Sequence, residues 1–221
     1  MLKDNVEKVL DDLKGGNNFG EKVTLVAATK TNDADVINLA IKYGLQVVAE
    51  NRVQEFREKT DLIKGAEQQF IGRLQTNKVK YLVGKVSLIQ SVDSVKLAEV
   101  ISSEALKRGV CQNVLLEVNV GEESKGGFSF DEIKSAMKTI SELKGLKIKG
   151  LMTMMPISDD SELLGRLFDQ TRALYDSLKE EYSLDTLSMG MSGDYNIAIR
   201  HGSNMVRIGS AIFGKRNYGG K

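Results

Sequence analysis

The stretch TLVAATK, residues 24–30, is an apolar run that ends in an amine. Lys30 either reaches into solvent or is a nucleophile fixed at a strand end. A lysine becomes nucleophilic when desolvation or a nearby cation lowers its pKa from about 10.4. Two stretches far downstream bear on the choice. LSMGMSGDYNIAI, residues 187–199, sets Gly190, Ser192, Gly193 and Asp194 ahead of a short helical pattern. Small residues there let backbone N–H groups approach an anion, which a helix N-terminus also favours. Ser192 or Asp194 would serve equally as a plain helix cap. GSNMVRIGSAIFG, residues 202–214, ends a β-branched run in Gly209 and Ser210. Within it Arg207 alternates with Val206 and Ile208 and shares a side with Met205. A guanidinium on an inward-facing position is costly unless paired, so Arg207 either meets an acid or meets a ligand.

The elements that must position these groups follow one beat. Apolar, β-branched runs at 23–29, 46–49, 69–71, 86–90, 113–119, 147–152, 185–188 and 204–208 read as strands. Helical spacing of apolar residues fills 34–43, 94–107 and 162–180. Repeated strand-then-helix units imply parallel strands joined by crossovers. Eight such units closing on themselves predict a (β/α)₈ TIM barrel, an α/β fold, as a single domain over 1–221. A doubly wound open sheet is the rival. Val6, Val9, Leu10 and Leu13 share one helical face, so an extra amphipathic helix precedes the first strand. In such barrels the chemistry sits at the C-terminal ends of the strands. That rule selects Lys30, Glu50 and Asn51, 72–77, Asn119, Thr153, 188–194, Gly209 and Ser210. Loops after strands 7 and 8 are also where barrels often seat a phosphate.

Composition narrows the classes. With 31 Lys and Arg against 30 Asp and Glu the net charge is +1, so no global field favours nucleic acid or a membrane. No apolar run is long enough to span a bilayer, and the N-terminus is too acidic for a signal peptide. The one cysteine, Cys111, permits no intramolecular disulfide and fits a reducing, cytoplasmic setting. The one histidine, His201, excludes a histidine-rich metal site and reads as a cap at a helix tail.

An amine at the end of strand 1, a phosphate site across the barrel and an arginine nearby point to pyridoxal 5′-phosphate (PLP). Its aldehyde would form a Schiff base with Lys30 while its phosphate rests at strands 7 and 8. The stretches LVAATKT, AENRVQE, FIGRLQTNKVK, SVDS, LLEVNVGEESKGGF, GLMTM, LSMGMSGD and GSNMVRIGSAIFG run in order from residue 25 to 214. In these the chain resembles the pyridoxal phosphate homeostasis proteins of the YggS/PROSC type, which are similar to the N-terminal barrel of alanine racemase without its second domain. The resemblance implies that Lys30 carries the cofactor and that Asn51 lies beside it. It implies that Ser192, Gly209 and Ser210 hold the phosphate and that Arg207 faces the pyridine nitrogen. Two positions depart from the family pattern. Gln68-Gln69 replaces Trp-His, leaving any histidine role near strand 3 unfilled, and Arg52 replaces a tyrosine. Residues 51–54 also spell a capping box, with Asn51 as N-cap and Gln54 three residues on. Gln75, Asn77 and Lys78 read as a helix start as readily as ligand contacts, and ESKGG, 123–127, as a turn.

Two functions of different class fit. One is a non-catalytic protein that stores PLP and passes it to apo PLP enzymes, acting as a monomer. The other is a PLP-dependent amino-acid racemase. PLP catalysis uses the ring as an electron sink, helped by an acid at the pyridine nitrogen; an arginine there weakens the sink. Racemisation also needs a second base, which alanine racemase takes from its second domain, and this chain stops at Lys221. The carrier is therefore expected. An aldolase-type lysine on the same barrel is a third reading.

Overall fold

A computed structural model describes residues 1–121 and 126–214. Of the predicted 123–127 turn, residues 123–125 lie outside the described residues, as does the end of the chain beyond Gly214.

Eight parallel strands close into a barrel in sequence order: β1 (Thr24–Ala28), β2 (Val47–Glu50), β3 (Glu67–Phe70), β4 (Leu88–Val92), β5 (Gln112–Val118), β6 (Leu146–Thr153), β7 (Thr186–Met191) and β8 (Met205–Ile208). Closure is made by β1 on β8, where Val26 pairs with Arg207 and Ala27 with Ile208. The outer layer holds α2 (Ala34–Lys42), α3 (Val53–Lys59), α4 (Val95–Lys107), α5 (Ile133–Ser141), α6 (Ser161–Tyr182), α7 (Tyr195–Arg200) and α8 (Ser210–Phe213). A 3₁₀ turn over Thr76–Tyr81 stands between β3 and β4. The open-sheet rival is thereby excluded.

The period of two along each strand sorts side chains into two cores. In β1, Val26 and Ala28 point into the barrel with Val47, Ala49, Leu88, Leu115, Met152 and Met205. Leu25 and Ala27 point outward, as do Val206 and Ile208 of β8, and they meet the extra helix α1 (Leu2–Leu13) through Val6, Val9 and Leu13. Each valine, leucine, isoleucine or methionine among them taken fully out of water contributes about 1.5–3 kcal/mol.

Strand limits shift where local turns compete for backbone groups. The sequence places strand 4 over 86–90, but Lys85 N–H and Val86 N–H donate to the Leu82 carbonyl, so β4 starts at Leu88. β7 runs to Met191 rather than ending at 188, so Gly190 lies inside the strand. Its φ of 95° is in the left-handed region, and a Cβ there would stand 2.7 Å from Ala198 Cβ. Only glycine lets α7 sit this close to the sheet. Among the described residues no helix is long and apolar enough to cross a membrane.

Candidate functional site

At the C-terminal mouth of the barrel lies a cavity of about 720 Å³. Lys30, Asn51, Ser192, Arg207, Gly209 and Ser210, the six residues selected from the sequence, all line it. Alternation along β1 places Lys30 above Ala28, whose small side chain leaves the space beneath the amine open. A β-turn carries the lysine: Asn32 N–H donates to the Thr29 carbonyl, and the Asn32 amide donates to the Lys30 carbonyl at 3.2 Å.

Beside Lys30, at the ends of the adjoining β8 and of β7 rather than across the barrel as the sequence suggested, the Ser192 hydroxyl accepts from Gly209 N–H at 3.1 Å and from Ala211 N–H at 3.3 Å. Two backbone donors and a hydroxyl thus converge where β7 and β8 end. A side chain at Gly193 would meet no atom within 4 Å, so the cradle is open on that side. The described lining of the cavity has two cations, Lys30 and Arg207, and no carboxylate.

Arg207 is 4% exposed. Its Nη1 donates to the Ser188 carbonyl at 2.9 Å and to Ser188 Oγ at 2.6 Å, and its Nη2 donates to the Thr153 carbonyl at 2.7 Å. Burial pushes its pKa down to about 10, opposed by the charges of Asp194 and Glu117. Below it runs a chain of donors that the sequence reading missed. Ser188 Oγ donates to Gln90 Oε1 at 2.7 Å, Gln90 Nε2 to Gln69 Oε1 at 2.6 Å, and Gln69 Nε2 to Glu67 Oε1 at 2.8 Å. Every donor points away from the guanidinium and toward the Glu67 carboxylate, so a cation sealed in the barrel is answered by aligned dipoles. Polar residues on inward strand positions, as in LIQSV and LSM, were the available signal. Gln69, the departure from the family histidine, is a link in this chain.

Just after β2, Asn51 is not a helix cap. α3 begins at Val53 with an extended Arg52 as N-cap, and Gln54 donates to Glu58 instead of closing a box. The helix starts one residue later than the pattern suggests, which leaves Asn51 free to turn into the cavity wall. Its Oδ1 is out of solvent with no hydrogen-bond partner. Gly72 holds it there: a Cβ on Gly72 would stand 1.9 Å from the Asn51 carbonyl oxygen, so the glycine of FIG is required by this contact.

Other candidates fall elsewhere. Gln75 and Lys78 line a smaller groove of about 220 Å³ with Arg52, Arg57 and Arg73, which shares Asn51 with the cavity. A hollow of about 890 Å³ over β3 and β4 carries Arg73 and Asp93. Neither reaches Lys30. His201 caps the C-terminus of α7 and sits 2.6 Å from Asp169, outside the mouth as expected.

Fold and site define a class: a parallel barrel that sets a lysine after β1 beside amide and hydroxyl donors after β7 and β8. Residues 2–217 match the family described as "Alanine racemase, N-terminal domain". A relative from Aquifex aeolicus (strain VF5), named pyridoxal phosphate homeostasis protein, is 44% identical over 220 residues, which is 97% of this chain and 95% of its own. PipY of Synechococcus elongatus PCC7942, solved with PLP bound, is 29% identical and superimposes with a TM-score of 0.85 over 97% of this chain and 100% of its own. Alanine racemase of Clostridium difficile 630 shares the fold, with a TM-score of 0.79 at 18% identity, and the match covers 98% of this chain but 61% of that one. The chain belongs to the alanine racemase N-terminal-domain family and, within it, to the pyridoxal phosphate homeostasis proteins.

Proposed function

We propose that this chain, as one domain over 1–221, binds pyridoxal 5′-phosphate, keeps it covalently on Lys30 and passes it on without efficient catalysis. The carrying observation is the cavity itself, in which Lys30 shares one space with Ser192, Gly193, Arg207, Gly209 and Ser210 and with no described carboxylate. When bound, the cofactor supplies an aldehyde that condenses with a primary amine and a phosphate dianion that seeks donors.

Lys30 is the amine. Ser192, Gly209 and Ser210 take the phosphate; the Gly209 and Ala211 N–H groups now shared with Ser192 Oγ are donors that an anion can claim. Asn51 brings a side-chain amide with an unused oxygen to the wall. Arg207 is the group we set toward the ring nitrogen. A guanidinium has N–H donors and no acceptor, so it gives that nitrogen no proton and opposes its protonation. This disfavours the electron sink that amino-acid chemistry needs. The name carried by the Aquifex relative supports the carrier role, whereas the racemase likeness rests on fold alone. We place the carrier in the cytoplasm, as a monomer that hands PLP to apo PLP enzymes.

The test is to load the protein and look for an absorbance band at roughly 420 nm that borohydride removes. The loaded protein is then mixed with an apo PLP enzyme, whose activity should return faster than release into buffer allows. Turnover of any L- or D-amino acid above about 1 s⁻¹, an ordinary enzyme rate, would overturn the carrier and favour the racemase.

A further inference from the structure

Lys30 stands between two threonines that are tied to one buried ion-paired cluster. Before it, Thr29 Oγ1 donates to Glu50 Oε1 at 2.6 Å and to the Ala49 carbonyl at 3.1 Å. After it, Thr31 N–H donates to Glu55 Oε2 at 2.8 Å. Lys59 joins the two acids, with Nζ 3.1 Å from Glu50 Oε1 and 2.8 Å from Glu55 Oε2. All three charged side chains are largely out of solvent: Glu50 is 3% exposed, Lys59 13% and Glu55 16%.

Thr31 is the strained element. Its φ is 68°, at the turn position that normally goes to glycine or asparagine. A β-branched residue has no intrinsic reason to stay there. Glu55 supplies one, because its carboxylate takes the one N–H that the left-handed turn presents. Glu55 can do so as an ionised acceptor: burial raises its pKa, but the bonds from Lys59 and from Thr31 N–H outweigh burial and keep it below the usual range.

We infer that Glu55, pinned by Lys59, is a positioning residue for Lys30: it locks the turn after the lysine so that the amine stays aimed into the cavity. Glu55 does not line the cavity. Its effect falls on the covalent step, in which the neutral amine adds to an aldehyde carbon and its two protons leave with the carbonyl oxygen as one water. It leaves the phosphate cradle on β7 and β8 alone. This inference rests on the proposed role of Lys30.

The experiment uses the full chain and PLP. Borohydride quenching at timed intervals, with mass mapping of the Lys30 peptide, gives the rate of covalent capture; titration with inorganic phosphate gives the affinity of the cradle. Glu55→Ala should slow capture roughly tenfold to a hundredfold, the scale of a misplaced reactive group, with phosphate affinity unchanged. Adding Thr31→Gly to Glu55→Ala should restore most of the rate, because glycine adopts the left-handed turn without a clamp. Glu55→Gln, which keeps an acceptor oxygen, should lie between, and it replaces the alanine variant if that does not fold. Unchanged capture in Glu55→Ala, or a slowed rate that Thr31→Gly does not recover, overturns the inference. Labelling of the wild type at another lysine overturns the role of Lys30 itself.

Discussion

Two adjoining stretches of the barrel rim, the ends of β7 and β8 and the ends of β1 and β2, are made of different material. On the β7/β8 side the cradle is made of backbone amides and a hydroxyl: Gly209 and Ala211 N–H converge on Ser192 Oγ, and Arg207 of β8 is the charged side chain that lines the cavity there among the described residues. On the β1/β2 side the frame is a charged cluster, Glu50, Lys59 and Glu55, and it brackets a lysine rather than a space. A backbone cradle is set by φ and ψ and keeps its form at any pH at which the protein folds. A charged frame depends on protonation and on each partner's presence. One side is thus suited to hold a dianion passively, the other to aim a reactive group.

The sharpest division comes from Lys30→Ala. It should abolish covalent capture of PLP while leaving inorganic phosphate affinity within about threefold, since the cradle's donors are backbone N–H groups and hydroxyls and a solvent-screened charge adds little to them. Parallel loss of phosphate binding would mean that the two sides are one unit.

Gly190→Ala attacks the other side. The new methyl would meet Ala198 Cβ at 2.7 Å with φ at 95°, so overpacking and a left-handed backbone add to a loss of about 2–4 kcal/mol of stability. Urea unfolding measures it. A shift under 1 kcal/mol would show that α7 can move away from β7 and that the cradle is softer than its geometry implies.

Ser192→Ala and Ser210→Ala are milder. Each should weaken phosphate affinity by about 1–2 kcal/mol, the worth of a charge-assisted hydrogen bond partly replaced by water. Pyridoxal, which lacks the phosphate, should be indifferent to both. Calorimetric titration of both ligands separates the cases, and equal losses for the two would move the cradle off β7 and β8.

These two sides also differ in how much of them the sequence revealed. The barrel was legible because its strands are short apolar, β-branched runs and three of the stretches between them, 34–43, 94–107 and 162–180, carry helical spacing, both local patterns. The cradle was legible because glycine and serine clustered at the end of a strand are a local signature as well. Asn51 reached the candidates through its place after β2, although its capping role was wrong by the one residue that α3 starts late. The clamp was not legible. Lys59 meets Glu50 nine residues away only because α3 folds back beside β2, and the left-handed φ of Thr31 leaves no mark in a threonine. The Arg207–Ser188–Gln90–Gln69 chain was hidden for a similar reason: its members come from four strands, and each alone is one polar residue in an apolar run.

The smallest expected effect is the one that tells most about the charged side. Glu50 and Glu55 share Lys59 but are displaced in opposite directions. Burial raises the Glu50 pKa, and the Thr29 hydrogen bond and Lys59 only partly offset it. For Glu55 the bonds from Lys59 and Thr31 prevail over burial, and its pKa is lowered. The consequences for stability have opposite sign. A carboxyl whose pKa is raised by folding favours the fold below its ordinary pKa, and that contribution is lost as pH rises through the raised value. A carboxyl whose pKa is lowered favours the fold above its ordinary pKa, and that contribution is lost as pH falls through the lowered value. Relative to Glu50→Gln, the wild type should therefore lose advantage as pH rises from the ordinary carboxylate range toward neutrality. Relative to Glu55→Gln it should lose advantage on acidification. Ser192→Ala, which removes a hydroxyl and no titrating side chain, should give a difference that does not change over the same interval. Urea unfolding of the four proteins between about pH 3 and pH 7, a span that reaches below and above the ordinary carboxylate values, reads all three trends. Slopes of the same sign for the two acids would mean that Glu50, Lys59 and Glu55 titrate as one coupled unit, and the bracket around Lys30 would then open in a single step rather than from one end.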